Sequence, residues 1–151
     1  MREILLILLA TAALGPATPA VAGDVLPGRF TAEVLRVVDG DTIDARVRIW
    51  IGQDVTVAVR IRGIDAPELR GRCPLESAMA AEAAERLASL AGSRLSLTEI
   101  GEDKYGGRVL AHVENVGGGD LGTLMLASGL ARPYVGGRRG DWCAQAVLGQ
   151  R

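Results

Sequence analysis

Between Ile43 and Arg62 the sequence alternates almost without interruption. Ile43, Ala45, Val47 and Ile49 are apolar, and Asp44, Arg46 and Arg48 sit between them. After the turn-forming Gly52-Gln53-Asp54, Val55, Val57, Val59 and Ile61 alternate with Thr56, Arg60 and Arg62. A period of two places successive side chains on opposite faces of a strand, so each segment reads as a half-buried strand. Residues 30–38, rich in β-branched and apolar side chains, read as a strand before them. Asp39-Gly40 is a strong two-residue hairpin signal between the first strand and the second. Three consecutive strands therefore form a meander with one apolar and one cationic face.

The middle of the chain changes character. Pro74 suits the first turn of a helix. Residues 77–91 are mostly Ala, Glu, Leu and Arg, which favour helix. Met79, Ala83, Leu87 and Leu90 make one apolar stripe, opposed by Glu82, Glu85, Arg86 and Ser89. Gly92 supplies a C-terminal stop. Residues 94–100 read as a fourth strand, with Leu95 and Leu97 inward, and residues 108–116 as a fifth. Asp120 caps a short helix over 121–128, ended by Gly129. The tail from Pro133, rich in Gly and Arg, offers only a last turn around 142–148. This order fits an α+β fold: a five-stranded Greek-key β-barrel of the OB type with two or three helices. Such a barrel has several uses, so function must be argued from the residues it carries.

The ends bound the domain. Arg2, the apolar run from Ile4 to Leu14 and the small-x-small Ala20-Val21-Ala22 have the pattern of a secretory signal peptide over residues 1–22. The apolar run is too short for a permanent membrane anchor. A single domain over residues 23–151 then remains, in a secreted or periplasmic protein. Two cysteines, Cys73 and Cys143, in an oxidising compartment favour a disulfide over two unpaired thiols. Two Cys and the single His112 do not supply a closed zinc site. The net charge is −1, which weighs against a generic nucleic-acid binder but not against an enzyme that grips a few phosphates with clustered arginines.

Four segments stand out: Asp39-Gly40-Asp41-Thr42; Arg60-Ile61-Arg62-Gly63-Ile64-Asp65-Ala66-Pro67-Glu68; Asp103-Lys104-Tyr105-Gly106-Gly107-Arg108; and Gly129-Leu130-Ala131-Arg132-Pro133-Tyr134. Each alone reads as an ordinary turn, loop or helix exit. Together and in this order, over about residues 30–142, they resemble the staphylococcal nuclease (thermonuclease) family. The resemblance implies a calcium-dependent nuclease acting on DNA or RNA. It places the Ca²⁺ ligands on Asp41, Asp65 and the backbone carbonyl of Ala66, and the water-activating carboxylate on Glu68. It places the phosphate-binding arginines on Arg60 and Arg108, and nucleotide-pocket tyrosines on Tyr105 and Tyr134. Carboxylates and a carbonyl suit Ca²⁺, and guanidiniums pair bidentately with phosphoryl oxygens.

Two departures from the family pattern bear on this reading. The usual Tyr-Gly-Arg is here Tyr105-Gly106-Gly107-Arg108, so an added glycine precedes Arg108, although Val109-Leu110-Ala111 restores the strand after it. The tail is short, and a Cys73–Cys143 bridge would tie it down.

The remaining residues have structural readings. His112 is a surface or half-buried partner. Met79 and Met125 belong to helix cores, and Trp50 and Trp142 to packing. Glu76 favours the helix dipole. The whole reads as an exported phosphodiester hydrolase, a monomer with no stable membrane association after leader removal. A non-catalytic module of this fold binding nucleic acid or protein would usually have lost the acidic ligands or the arginines. An exported polysaccharide-assembly protein would need a sugar site, of which the sequence carries no signature.

Overall fold

The computed structural model describes residues 24–144. The leader assigned to residues 1–22 and most of the last turn expected over 142–148 lie outside them. The elements run β1 (Val25–Asp39), β2 (Thr42–Trp50), β3 (Gln53–Ile61), β4 (Ile64–Asp65), α1 (Pro74–Ala91), β5 (Arg94–Glu102), β6 (Arg108–Asn115), α2 (Leu121–Ala127) and β7 (Arg132–Pro133). Five strands close into a barrel in the order β1-β2-β3-β6-β5. The expected meander, helix, strand pair and second helix are all present.

Closure follows from two features. β1 is fifteen residues long, and its two halves pair with different neighbours. Val25 to Glu33 run antiparallel to β5, and Ala32 to Asp39 antiparallel to β2. β3 and β6 pair in parallel, with Ala58 opposite Arg108. A parallel pair needs a long crossover, and α1 and β5 fill it. β4 and β7 form a separate two-stranded sheet, Asp65 opposite Arg132, which the sequence pattern did not reveal.

The inward positions of the alternating strands form the core. Ile43, Ala45, Val47, Val59, Ile61, Leu95, Leu97 and Val113 pack with Ala83 and Leu87 of α1 and Leu121 and Met125 of α2. α2 is capped as expected, with the Asp120 side chain accepting from the Thr123 backbone N–H. The buried line of α1 differs from the expected stripe. It runs Glu76, Ala80, Ala83, Leu87 and Ala91, while Met79 and Leu90 are only half-buried. Ala83 and Leu87 are common to both, and Ala83 meets a close approach. A Cβ on Gly40 would lie 2.6 Å from the Ala83 Cβ and 2.7 Å from that of Ala66. Only small residues fit where the β1–β2 turn meets the helix, and Ala83 is one.

Two other expectations change. The cationic face of the meander is largely neutralised by cross-strand partners, with Arg36 on Asp44, Arg46 on Glu33 and Arg48 on Asp54. These pairs are exposed, and water and salt screen them. Gln53 and Asp54 belong to β3, and the turn tightens onto Ile51-Gly52. Trp50 therefore ends β2 at the hairpin tip, 72% exposed, and is not a packing residue; Trp142 is, at 2%.

Candidate active site

The first acidic motif is built by the β1–β2 turn. Its two turn residues are Gly40 and Asp41, since Asp39 pairs with Thr42. The Asp39 carboxylate accepts from the Asp41 backbone N–H (3.0 Å), and the Asp41 carbonyl accepts from the Ile61 N–H (2.8 Å). This fixes the turn against the end of β3. The Asp41 carboxylate is buried. Its Oδ1 accepts from Thr42 Oγ1 (2.8 Å) and from Arg60 Nη1 (2.7 Å), and its Oδ2 from the Ala66 N–H (3.0 Å). Arg60 reaches it because strand register sets Arg60 opposite Thr42. Burial, and then the neighbouring Asp39, push the Asp41 carboxyl up to about 6, against the pull of Arg60, the Ala66 N–H and the Thr42 hydroxyl. Desolvation thus outweighs the partners.

Asp65 is built differently. Gly63, at φ +82°, turns the chain from β3 into β4. β4 is held by β7 and by Tyr134, whose N–H donates to the Gly63 carbonyl at 2.8 Å. The donors to Asp65 come largely from the C-terminal segment. Oδ1 accepts from Arg139 Nε (2.6 Å) and, at 3.5 Å, from Arg60 Nη2; Oδ2 accepts from Trp142 Nε1 (3.2 Å). Arg139 also donates through Nη2 to the Ala66 carbonyl at 2.6 Å and pairs through Nη1 with Glu68. Three contacts fix this segment. Cys73 and Cys143 form a disulfide across a separation of 70 residues. The Arg132 guanidinium lies 3.8 Å from the centroid of the Trp142 ring, a cation–π contact. Arg132 Nη1 also donates to the Asp141 carbonyl.

Glu68 lies in the loop before α1, its side chain 57% exposed. That loop is shaped by Glu76, which does more than complement the helix dipole. Glu76 is buried, and its carboxylate accepts from the Arg72 N–H (2.8 Å) and the Glu68 N–H (3.4 Å). A Cβ on Gly71 would collide with it at 2.6 Å.

Arg108 opens β6 directly after a turn in which Gly107 takes φ +82°. The added glycine is absorbed in that turn, and strand pairing resumes at Arg108. Asp103 accepts from Arg108 Nε at 2.8 Å. The Arg108 guanidinium also lies 5.1 Å from the centroid of the Tyr105 ring. Tyr105 is exposed and Tyr134 half-buried, its hydroxyl donating to the Gly137 carbonyl. Lys104 Nζ lies 5.0 Å from the centroid of the Tyr105 ring, and Tyr105, then Tyr134, raise its pKa.

These elements meet at a cleft of about 270 Å³ whose wall includes Asp41, Arg60, Ala66, Glu68, Arg108 and Arg139. Asp65 lies behind that wall, buried. Tyr105 and Tyr134 do not line it. Sequence reasoning missed Thr42, Glu76, Arg139 and Trp142 as site-forming groups. Arg139 stands among glycines and arginines whose composition says only loop. For Trp142, burial was legible but its indole donor was not.

Among the described residues no three His, Cys, Asp or Glu side chains are grouped to hold a metal ion. Two carboxylates and one carbonyl do converge. Arg60 touches both Asp41 and Asp65, and Arg139 touches both Asp65 and the Ala66 carbonyl. All three donors are hard oxygens, the type Ca²⁺ takes, and a guanidinium cation already rests on two of them. The donor set fits a hard divalent cation.

The staphylococcal nuclease homologue family matches residues 58–144, a span that contains Arg60, Asp65, Glu68, Arg108 and Arg139 but begins after Asp41. Over 113 residues, 70% of its length, the chain is 34% identical to a protein named micrococcal nuclease from Shigella flexneri. The match spans 59% of that protein's length.

Proposed function

Because the chain belongs to the staphylococcal nuclease homologue family, we propose that it is a calcium-dependent nuclease that hydrolyses the phosphodiester bonds of DNA or RNA. The observation that carries this reading is the cleft whose wall brings together Asp41, Ala66, Glu68, Arg60 and Arg108. Asp41, Asp65 and the Ala66 carbonyl would hold Ca²⁺, which when bound polarises a phosphoryl oxygen and acidifies nearby water.

The chain's own groups do the rest. Glu68, at the rim, accepts the proton of the attacking water. The water oxygen bonds to phosphorus as a P–O ester bond breaks, charge gathers on the equatorial oxygens, and the departing sugar oxygen takes a proton from solvent. Arg60 and Arg108 donate to those oxygens from the cleft wall. Arg60 exchanges part of its hold on Asp41 to do so, and Arg108 its hold on Asp103.

The assay is cleavage of single-stranded DNA by the folded protein, with calcium and then with a chelator. Calcium-dependent cleavage is expected, and Glu68→Gln lowers the rate by about 10²- to 10⁴-fold, the range for loss of a general base. A folded wild type with no calcium-dependent cleavage would sink the reading.

Export belongs to the same proposal. Residues 1–22 act as a leader, and the Cys73–Cys143 disulfide suits the oxidising compartment beyond it. N-terminal sequencing of the mature protein should begin at Gly23; a retained Met1 overturns this part. The mature protein then works as a secreted or periplasmic monomer.

A further inference from the structure

Arg139 lies outside every motif, yet both of its contacts to the calcium donor set are short. Its Nε and Nη2 reach Asp65 Oδ1 and the Ala66 carbonyl, both at 2.6 Å, while Nη1 pairs with Glu68. One planar fork therefore engages two of the three proposed metal donors and the proposed base. Arg60 also touches both carboxylates, but its contact to Asp65 is long, 3.5 Å against 2.7 Å to Asp41. Arg60 is a wall of the site; Arg139 sits where a cation would.

We propose that Arg139 is a tethered counter-cation that competes with the divalent ion for Asp65 and the Ala66 carbonyl, and so sets the cation affinity of the site. This rests on the calcium reading above. The competition is a matter of charge and space. A guanidinium and a divalent ion cannot share the same oxygens at contact distance without strong repulsion. Arg139 is poised to yield: its side chain is 32% exposed at the rim, whereas that of Asp65 is 4% exposed behind it. It is also poised to return. The Cys73–Cys143 disulfide and the β4–β7 pairing hold its segment against the donors, which keeps its effective concentration high. When a binding-competent state is only fractionally populated, apparent affinity falls by that fraction. Displaced from Asp65, Arg139 also releases Glu68, so binding of the ion and freeing of the base become one event.

The test is Ca²⁺ titration of the full mature chain by calorimetry, for wild type, Arg139→Gln and Arg139→Lys, with folding checked by circular dichroism. In parallel, the Arg139 Nε–H resonance of the wild type is followed by NMR. With Arg139 docked nine-tenths of the time or more, Arg139→Gln binds Ca²⁺ about tenfold tighter or better. Arg139→Lys, keeping the charge but not the fork, falls between. The Nε–H resonance, held by Asp65, moves or exchanges with water at the calcium concentration that saturates the site. A wild type that binds no Ca²⁺ beside an Arg139→Gln variant that does also supports the proposal. Equal or weaker binding by Arg139→Gln, or a Nε–H resonance unmoved at saturation, overturns it. If neither protein binds Ca²⁺, the calcium reading falls with it. If binding tightens but no phosphodiester is cut, this inference stands and the nuclease reading alone fails.

Discussion

Asp41 and Asp65 are the same residue type, buried to 2% and 3% exposure, and they are stabilised by opposite means. Asp41 draws on its surroundings in the motifs: Thr42 beside it, the Ala66 N–H, and Arg60 across one strand pair. Asp65 draws on residues 74 and 77 positions away, Arg139 and Trp142. The Asp41 half is welded to the barrel. The Asp65 half is completed only when the C-terminal segment docks and the disulfide closes. A buried carboxylate without partners is costly, so the docking of that segment and the solvation of Asp65 stabilise one another.

The comparison can be broken first at the disulfide. Its loop of about 70 residues gives roughly 4 kcal/mol in the chain-entropy model. Cys143→Ser should lower stability by up to that amount in denaturant unfolding. Hydrogen exchange should accelerate more at the Tyr134 amide, which holds the segment to β4, than at the Ile61 amide, which holds the Asp41 turn. Equal acceleration would show that the two halves are one unit.

Arg60→Ala attacks the other half. It removes the cation from Asp41 and a phosphate donor from the cleft. The expected loss is about 10²- to 10³-fold in cleavage rate on single-stranded DNA, by analogy with oxyanion donors. A rate within threefold of wild type would remove Arg60 from the reaction.

Third comes pH. Burial first, then Asp39, raises the folded-state Asp41 carboxyl to about 6 from its ordinary 3.8. The folded protein thus holds this proton more tightly than the unfolded chain. Its contribution is fully present below about pH 4 and is lost as pH rises through about 6, some 3 kcal/mol by linkage. In calcium-free buffer the stability difference between wild type and Asp41→Asn should therefore widen between pH 4 and 6, in favour of the variant. A difference independent of pH in that window would contradict the assignment.

The smallest effects sharpen the contrast. Trp142→Phe leaves an aromatic ring for Arg132 but removes the only donor to Asp65 Oδ2 among the described residues, at about 2 kcal/mol. Thr42→Val removes one of three donors to Asp41, at about 1 kcal/mol. Matched unfolding curves compare the two, and a larger loss for Thr42→Val would reverse the argument.

The barrel was legible because alternation is a local signal. Ile43, Val47, Val59 and Ile61 point inward wherever the strands are placed, and the Asp120 carboxylate and the left-handed Gly129 bracket α2 by local chemistry. The inward face of α1 was legible at Ala83 and Leu87 but not at Ala80 and Ala91, whose small side chains carry less hydrophobic signal than the half-buried Met79 and Leu90. The β4–β7 pair was missed because two-residue strands carry no period. Trp50 was misread because an aromatic residue at a strand end looks the same in sequence whether the strand ends in the core or at a hairpin tip.

By itself the sequence determined the five barrel strands, both helices, the four motifs and the pairing-competent cysteines, all of which rest on residue type and short spacing. Tertiary structure decided which side chains meet the two aspartates. Arg60 reaches Asp41 through strand register, Arg108 enters the cleft because the turn at Gly107 absorbs the added glycine, and Arg139 and Trp142 reach Asp65 through a chain closed by the disulfide. The reason is physical. A buried carboxylate requires donors, but it accepts any donor the fold delivers, and no local pattern records which distant segment delivers it.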